Sequence, residues 1–355
     1  MVISMIPFAI LYIFSLDAFR QTPRQDKDIL LNVEKEKHLK NNFRDALGEA
    51  FVRMGEEFER LALVTADVSK STRSILFKER FPERFFSVGI AEANAVGIAA
   101  GISTFGDPVI FTAYSVFATE KPFEQIRNMI CYPNLNVKIV ATHGGINVGE
   151  DGVTHQAIED IAIMRALPNM KVVVPADPGE VMAALRAVIN CPGPVYLRLG
   201  RAEAELLHEN LKDQPFEVGK AETLREGKDI CLAAVGMMVF ESLRAAKLLY
   251  AEGIEAEVIN VRSVKPLDET TIINAVKKTG AIVAAEDHNR FGGLGGAIAE
   301  CLALNYPVPM EHVALADTFA ESGKAELLLE KYGLTGEMIC EKAKTAISRK
   351  HGELL

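Results

Sequence analysis

The chain has 355 residues, 49% of them apolar and 25% charged, and its 39 basic against 48 acidic side chains give a formal charge of −9. That length suits two hydrophobic cores better than one. The acidic balance excludes a nucleic-acid binder, which needs a basic footprint, and allows anionic ligands only where basic side chains gather locally. In chain order, residues 1–40 stand apart from the rest. Val2 to Leu16 is an apolar run with no basic residue before it. It is short for a membrane span and lacks the charged start and small-residue cleavage site of a secretory signal. Gln21 to Lys40 is polar and charged, so residues 1–40 read as an N-terminal extension, poorly ordered or loosely docked.

From residue 41 to 203, short apolar runs alternate with helical patterns. Leu61–Thr65, Val109–Phe111, Val137–Ala141, Lys171–Val174 and Val195–Arg198 read as strands covered on both faces. Asn42–Arg60, Glu92–Ser103 and Pro178–Ile189 read as the helices between them. The charged stretch 204–228, with Pro215, reads as a linker. The alternation restarts over 229–348: strands at Asp229–Val235, Ala256–Val261 and Ala281–Ala285, helices at Met237–Glu252 and Asp268–Lys277, then a further strand and a closing helix after Glu311. This pattern predicts an α/β fold of two domains, each a mostly parallel sheet with helices on both faces. The cluster Phe291-Gly-Gly-Leu-Gly-Gly296 lacks the spacing and the following acidic residue of a dinucleotide loop. It reads as close packing at a strand-to-helix turn. Cys131, Cys191, Cys231, Cys301 and Cys340 are scattered, without CxxC or metal-ligand spacing, as expected of reduced thiols in a cytoplasmic protein.

Two places carry chemistry. Glu92 is the sole carboxylate in Phe86-Ser-Val-Gly-Ile-Ala-Glu-Ala-Asn-Ala-Val-Gly-Ile-Ala-Ala-Gly101, which reads as a short strand running into a helix without a polar face, hence a buried one. A carboxylate there needs a partner: a helix cap or an ion pair on the plain reading, a ligand on the functional one. The second place is Thr142-His-Gly-Gly-Ile-Asn-Val-Gly-Glu-Asp-Gly-Val-Thr-His-Gln156, which follows a strand where an open α/β sheet binds ligands. It gathers His143, Asp151 and His155 among glycines that permit close backbone approach. A zinc site is the alternative, but the spacing is irregular and no fourth ligand suggests itself.

These blocks, together with Thr65-Ala-Asp-Val-Ser-Lys-Ser71, Glu159-Asp-Ile-Ala-Ile-Met-Arg165, Pro175-Ala-Asp177 and Arg198-Leu-Gly-Arg201, resemble the pyrimidine-binding domain of transketolases. Residues from Asp229 to about Ser348, with Glu286-Asp-His-Asn289, resemble the family's C-terminal domain. Nearly everything after Asn41 is covered. The family's Gly-Asp-Gly…Asn motif for the cofactor's diphosphate and Mg²⁺ is missing from the sequence. The resemblance therefore implies the C-terminal subunit of a split transketolase. A partner chain would bind the Mg²⁺ and share the thiamine diphosphate, and this chain would supply no metal ligand. Pairing across a two-fold axis would make a heterotetramer.

The resemblance also implies residue roles. Glu92 would hydrogen-bond N1′ of the aminopyrimidine and activate the cofactor, with Phe117 stacked on the ring and Tyr114 on the same wall. His143 and His155 would exchange protons with the sugar's oxygens during ketol transfer. Asp151 would accept from the donor's C2 hydroxyl. Arg201, Arg44 and Ser71, helped by His143, would grip the sugar phosphate, which guanidinium forks suit. The expected activity is transfer of a two-carbon unit between pentose- and hexose-type sugar phosphates. A β subunit of a 2-oxoacid dehydrogenase E1 component shares both domains and the glutamate, but is not expected to carry the two-histidine loop. A non-catalytic scaffold would have no need of this whole set of residues.

Overall fold

The computed structural model describes residues 40–207 and 215–353; nearly all of the expected N-terminal extension and the middle of the expected linker lie outside them. In chain order the strands are β1 (Lys40–Asn42), β2 (Ala62–Thr65), β3 (Phe85–Ser87), β4 (Val109–Tyr114), β5 (Val137–Thr142), β6 (Lys171–Val173), β7 (Val195–Arg198) and β8 (Glu203–Glu205). They continue as β9 (Glu222–Arg225), β10 (Ile230–Ala234), β11 (Ala256–Asn260), β12 (Ser263–Lys265), β13 (Ile282–Asn289) and β14 (Met310–Leu315). A seven-stranded sheet runs β12-β6-β7-β5-β4-β2-β3, and a five-stranded sheet runs β14-β13-β10-β11-β9. Both are parallel except for one antiparallel edge strand each, β12 and β9.

The parallel strands are where the apolar runs fall. Every residue of β2, β5, β7, β10 and β11 is buried, as strands covered by helices on both sides must be. The helix Phe43–Glu57 starts where the Asn42 side chain accepts from the Arg44 amide, and it buries Phe43, Leu47, Phe51 and Met54, one stripe at helical spacing. That stripe meets Val181, Leu185 and Val188 of the helix Val181–Asn190 in a shared apolar cluster.

Three expectations need correction. The stretch 204–228 is not simply a linker: β8 pairs with β1, and β9 forms the edge of the second sheet. Its charges mislead because edge strands themselves carry charge, which blocks stray pairing. The second half also does not keep to itself, since β12 pairs with β6 of the first sheet. Finally, the helix Glu92–Ser103 is buried on one side only. Ala95, Val96, Ala99 and Ala100 face the core while Ala93, Asn94 and Gly101 are exposed. Its second face is as apolar as the first, so sequence alone gave no way to see that this chain leaves it uncovered.

The glycine cluster is close packing, as read. A β-carbon on Gly293 would fall 2.0 Å from Glu286 Oε2, and one on Gly295 would fall 2.4 Å from the His312 ring. The space is taken by Glu286, which accepts from the amides of Leu294 at 2.7 Å and Gly295 at 2.8 Å.

Candidate active site

The chemistry-bearing residues emerge from the carboxyl ends of parallel strands, the edge at which open α/β sheets bind ligands. Glu92 follows β3, Tyr114 ends β4, Thr142 closes β5 with His143 next after it, and Arg201 follows β7. Tyr114 is paired across the ladder with Thr142, which brings the Tyr114 ring onto the His143 imidazole, stacked at 3.8 Å between centroids. Phe117, in the helix Ser115–Thr119 directly after β4, stacks on Tyr114 at 5.9 Å and takes the His155 ring edge-on at 5.2 Å. Four residues named in the sequence, two from the glycine-rich loop and two from the end of β4 and the helix after it, thus form one ring cluster.

Within it the two imidazoles differ. His143 is 1% exposed, sits at φ 67°, and shares a 2.7 Å hydrogen bond between Nδ1 and the Thr142 hydroxyl. Burial, reinforced by Arg201, Arg44 and His155, lowers its pKa to about 3, so it stands neutral. His155 is half-buried, with Nδ1 2.9 Å from the Thr154 hydroxyl. A neutral imidazole beside a more open one can donate to and accept from a substrate's oxygens.

Glu92 opens the helix Glu92–Ser103 and is 6% exposed. The predicted desolvation holds, but the carboxylate has a partner the sequence reading missed: Lys121 Nζ donates to its two oxygens at 3.3 and 3.2 Å. The same ammonium lies 4.8 Å from the centroid of Phe117. Carboxylate, cation and ring therefore occupy one patch. The Lys121 side chain is half exposed, and pairs of that kind add at most about 1 kcal/mol. The contact is weak enough for a ligand to replace. A flat heterocycle laid on Phe117 would meet an acid at its edge, so the residues fit an aminopyrimidine.

Beyond His143 lies a cavity of about 400 Å³ lined by the cations Arg44, Arg201 and Lys324, by Asn147, and by two carboxylates, Glu150 and Glu326. The Nε atoms of Arg44 and Arg201 are buried without a hydrogen-bond partner. Arg44 has its pKa lowered by burial and by the repulsion of Arg201 and Arg73. Cations crowded together with unused donors make a site suited to an anion. Asp151 stands at this end, with Oδ2 3.9 Å from an Arg201 nitrogen. Ser71 is not among the residues lining the cavity; it is half-buried in the turn that also carries Arg73. Lys324 comes from the second half and escaped notice because it belongs to no motif. Lys121 follows Phe117 by four residues, and that spacing was the available signal. A larger cavity of about 860 Å³, between the helices Phe43–Glu57 and Ile75–Arg80, holds none of these groups.

The fold and site define an α/β chain of two domains whose strand ends build one ligand-binding edge. Residues 40–205 match the transketolase pyrimidine-binding domain and residues 219–339 the transketolase C-terminal domain. A protein of Methanocaldococcus jannaschii named for the C-terminal section of a transketolase is 44% identical over 84% of this chain and 94% of its own length. The 6-deoxy-6-sulfo-D-fructose transketolase subunit of Clostridium sp. strain MSTE9 is 38% identical over 87% of this chain and 95% of its own. A solved split-gene transketolase, described as an inactive β4 tetramer, superposes with a TM-score of 0.80 at 44% identity, covering 87% of this chain and 99% of that one. The chain belongs to the transketolase family, as a subunit of the split type.

Proposed function

We propose that this chain is the half of a split transketolase that activates thiamine diphosphate and holds the sugar, transferring a two-carbon ketol unit between anionic sugars. One observation carries the reading: the buried Glu92 carboxylate, the Phe117 ring and the two imidazoles line one edge that ends in the arginine-lined cavity. When bound, thiamine diphosphate supplies a nucleophilic carbon able to cleave a ketose beside its carbonyl. Glu92 would hold a proton shared with the pyrimidine's ring nitrogen, and Phe117 would fix the ring plane. His143, neutral and buried, would donate to the sugar's developing oxyanion, while His155 would exchange the proton with a hydroxyl. Asp151 would accept from a sugar hydroxyl. Arg44 and Arg201 would hold the terminal anion.

Relatives named for a sulfo-sugar and for apulose 4-phosphate favour a terminally anionic ketose over any one pentose phosphate as substrate. The histidine pair and this cavity favour the ketol-transfer reading over an E1 β subunit. A partner polypeptide is supported by the uncovered face of the helix Glu92–Ser103, flanked by exposed Ile90 and Phe105 and by Met129, which lies against Gly97. We assign that face to the partner carrying the diphosphate and Mg²⁺ site. Five free thiols suit a cytoplasmic enzyme, and among the described residues no helix is long and apolar enough to cross a membrane.

The test is reconstitution: this chain, its cognate partner, Mg²⁺ and thiamine diphosphate, assayed for ketol transfer. Activity is expected of the mixture and of neither chain alone. Glu92→Gln, which keeps the shape and removes the acid, should lower turnover by about 100-fold or more; turnover near that of the native chain would refute the role of Glu92.

A further inference from the structure

The loop that carries both histidines rests on the second domain. Asp287, 3% exposed near the end of β13, accepts from the Ile146 amide through Oδ1 at 3.0 Å. Two residues on, the Asn289 amide donates to the Ile158 carbonyl at 2.8 Å, so β13 grips the loop at both ends. Arg198, closing β7, ties the arrangement together. Its NH2 group donates to the Asp287 carbonyl at 2.8 Å and to the Ala157 carbonyl at 3.1 Å, and its Nε pairs with Asp160 at 2.7 Å.

The glycines of the loop record how close this support lies. A β-carbon on Gly144 would fall 2.7 Å from Arg198 Nε, and one on Gly145 would fall 1.8 Å from Asp287 Oδ2. Gly145 also has φ +79°. Neither glycine faces the ring cluster's ligand side for want of space there; each is small because a charged side chain lies directly beneath it. His143 is the residue immediately before this pair.

We propose that Asp287 is a positioning residue: its carboxylate, reaching from the C-terminal domain, holds the 143–156 backbone and so sets where His143 and His155 stand. That the loop is the catalytic one rests on the function proposed above; that Asp287 orders the loop does not. Removing a hydrogen bond to a charged group raises local opening about tenfold or more. The arrangement also gives the second domain, which supplies none of the ring cluster, a part in catalysis.

The experiment is hydrogen–deuterium exchange on the full chain, comparing the native protein with Asp287→Ala, Asp287→Asn and Gly145→Ala. In Asp287→Ala, exchange in peptides covering 143–156 should rise about tenfold while peptides from β10 and β11 stay at native rates. Asp287→Asn keeps an oxygen for the Ile146 amide and should stay close to native. Gly145→Ala both meets the carboxylate and strains a backbone at φ +79°, so it should open the same peptides and marks the exchange rate of a loop disrupted from within, against which Asp287→Ala is compared. Native protection of the loop in Asp287→Ala would overturn the proposal. So would an equal loss of protection across the second sheet, which marks a residue serving the fold alone. None of these readouts depends on turnover, so the loop's support and the catalytic reading stand or fall separately.

Discussion

His143 is the residue on which burial acts most visibly. Its ring is packed under Tyr114 and faces Arg44 and Arg201, and together these lower its pKa from an ordinary 6.5 to about 3. The unfolded chain therefore takes up a proton between those values and the folded chain does not, so folding stability falls as pH drops through that window. Above pH 6.5 the residue makes no pH-dependent contribution. Each pH unit inside the window removes about 1.4 kcal/mol attributable to this one ring. His143→Asn isolates that share, because asparagine tolerates the positive φ that the position demands. Denaturation followed from pH 7 to pH 4 should show a shallower decline in the variant than in the native chain. Parallel slopes would mean that the imidazole is solvated and free to protonate. The neutral ring matters for function too, since a charged imidazole between two guanidinium groups would be repelled from the place where it is needed.

At the level of the element, the helix Glu92–Ser103 serves two masters. Its inner face packs Ala95, Val96, Ala99 and Ala100 into the core, and its first residue presents the acid. Its outer face exposes Ala93, Asn94 and Gly101, and a β-carbon added to Gly101 would meet nothing within 4 Å. Nothing in this chain requires glycine there. Glycine in a helix interior costs about 1 kcal/mol relative to a good helix former, so a Gly101→Lys change should leave the isolated chain as stable as before or slightly more so. If the face receives the partner subunit, the same change buries a lysine in that interface, and binding should weaken about tenfold or more. Thermal denaturation of the chain alone, paired with titration of the partner, reads both effects. Binding at native affinity would place the partner elsewhere.

For the molecule as a whole, the sequence made some features legible and hid others for identifiable reasons. The buried strands β2, β5, β7, β10 and β11 were readable because continuous apolar runs between helices have few other meanings. His143 and His155 were readable from their glycine-rich loop after a strand, whereas Tyr114 and Phe117 were named only through the resemblance to transketolases, since single aromatic residues in a strand-to-helix segment read as ordinary core. Lys121, Asp287 and Lys324 were not readable: Asp287 lies in the Glu286–Asn289 block without an implied role, Lys121 has only its four-residue spacing from Phe117, and Lys324 comes from the second half without a pattern of its own. The same blindness applied to β12, which leaves the second half to pair with β6. That crossing joins the domains energetically. One apolar cluster contains Ile161, Val172 and Tyr196 of the first half together with Cys231, Ile259 and Ile298 of the second, and the buried Arg198, paired with Asp160, donates to the Asp287 carbonyl across the same boundary. Opening the second half would strip apolar cover from the first and take the Asp287 carbonyl from a buried guanidinium, a loss of several kcal/mol. Two domains joined only by a linker would unfold independently, whereas these should unfold together. Calorimetry of the chain is therefore expected to give one endotherm in which peptides from β5 and β10 lose exchange protection at the same temperature. Two resolved transitions, one for each sheet, would show that the shared core contributes less than its burial implies.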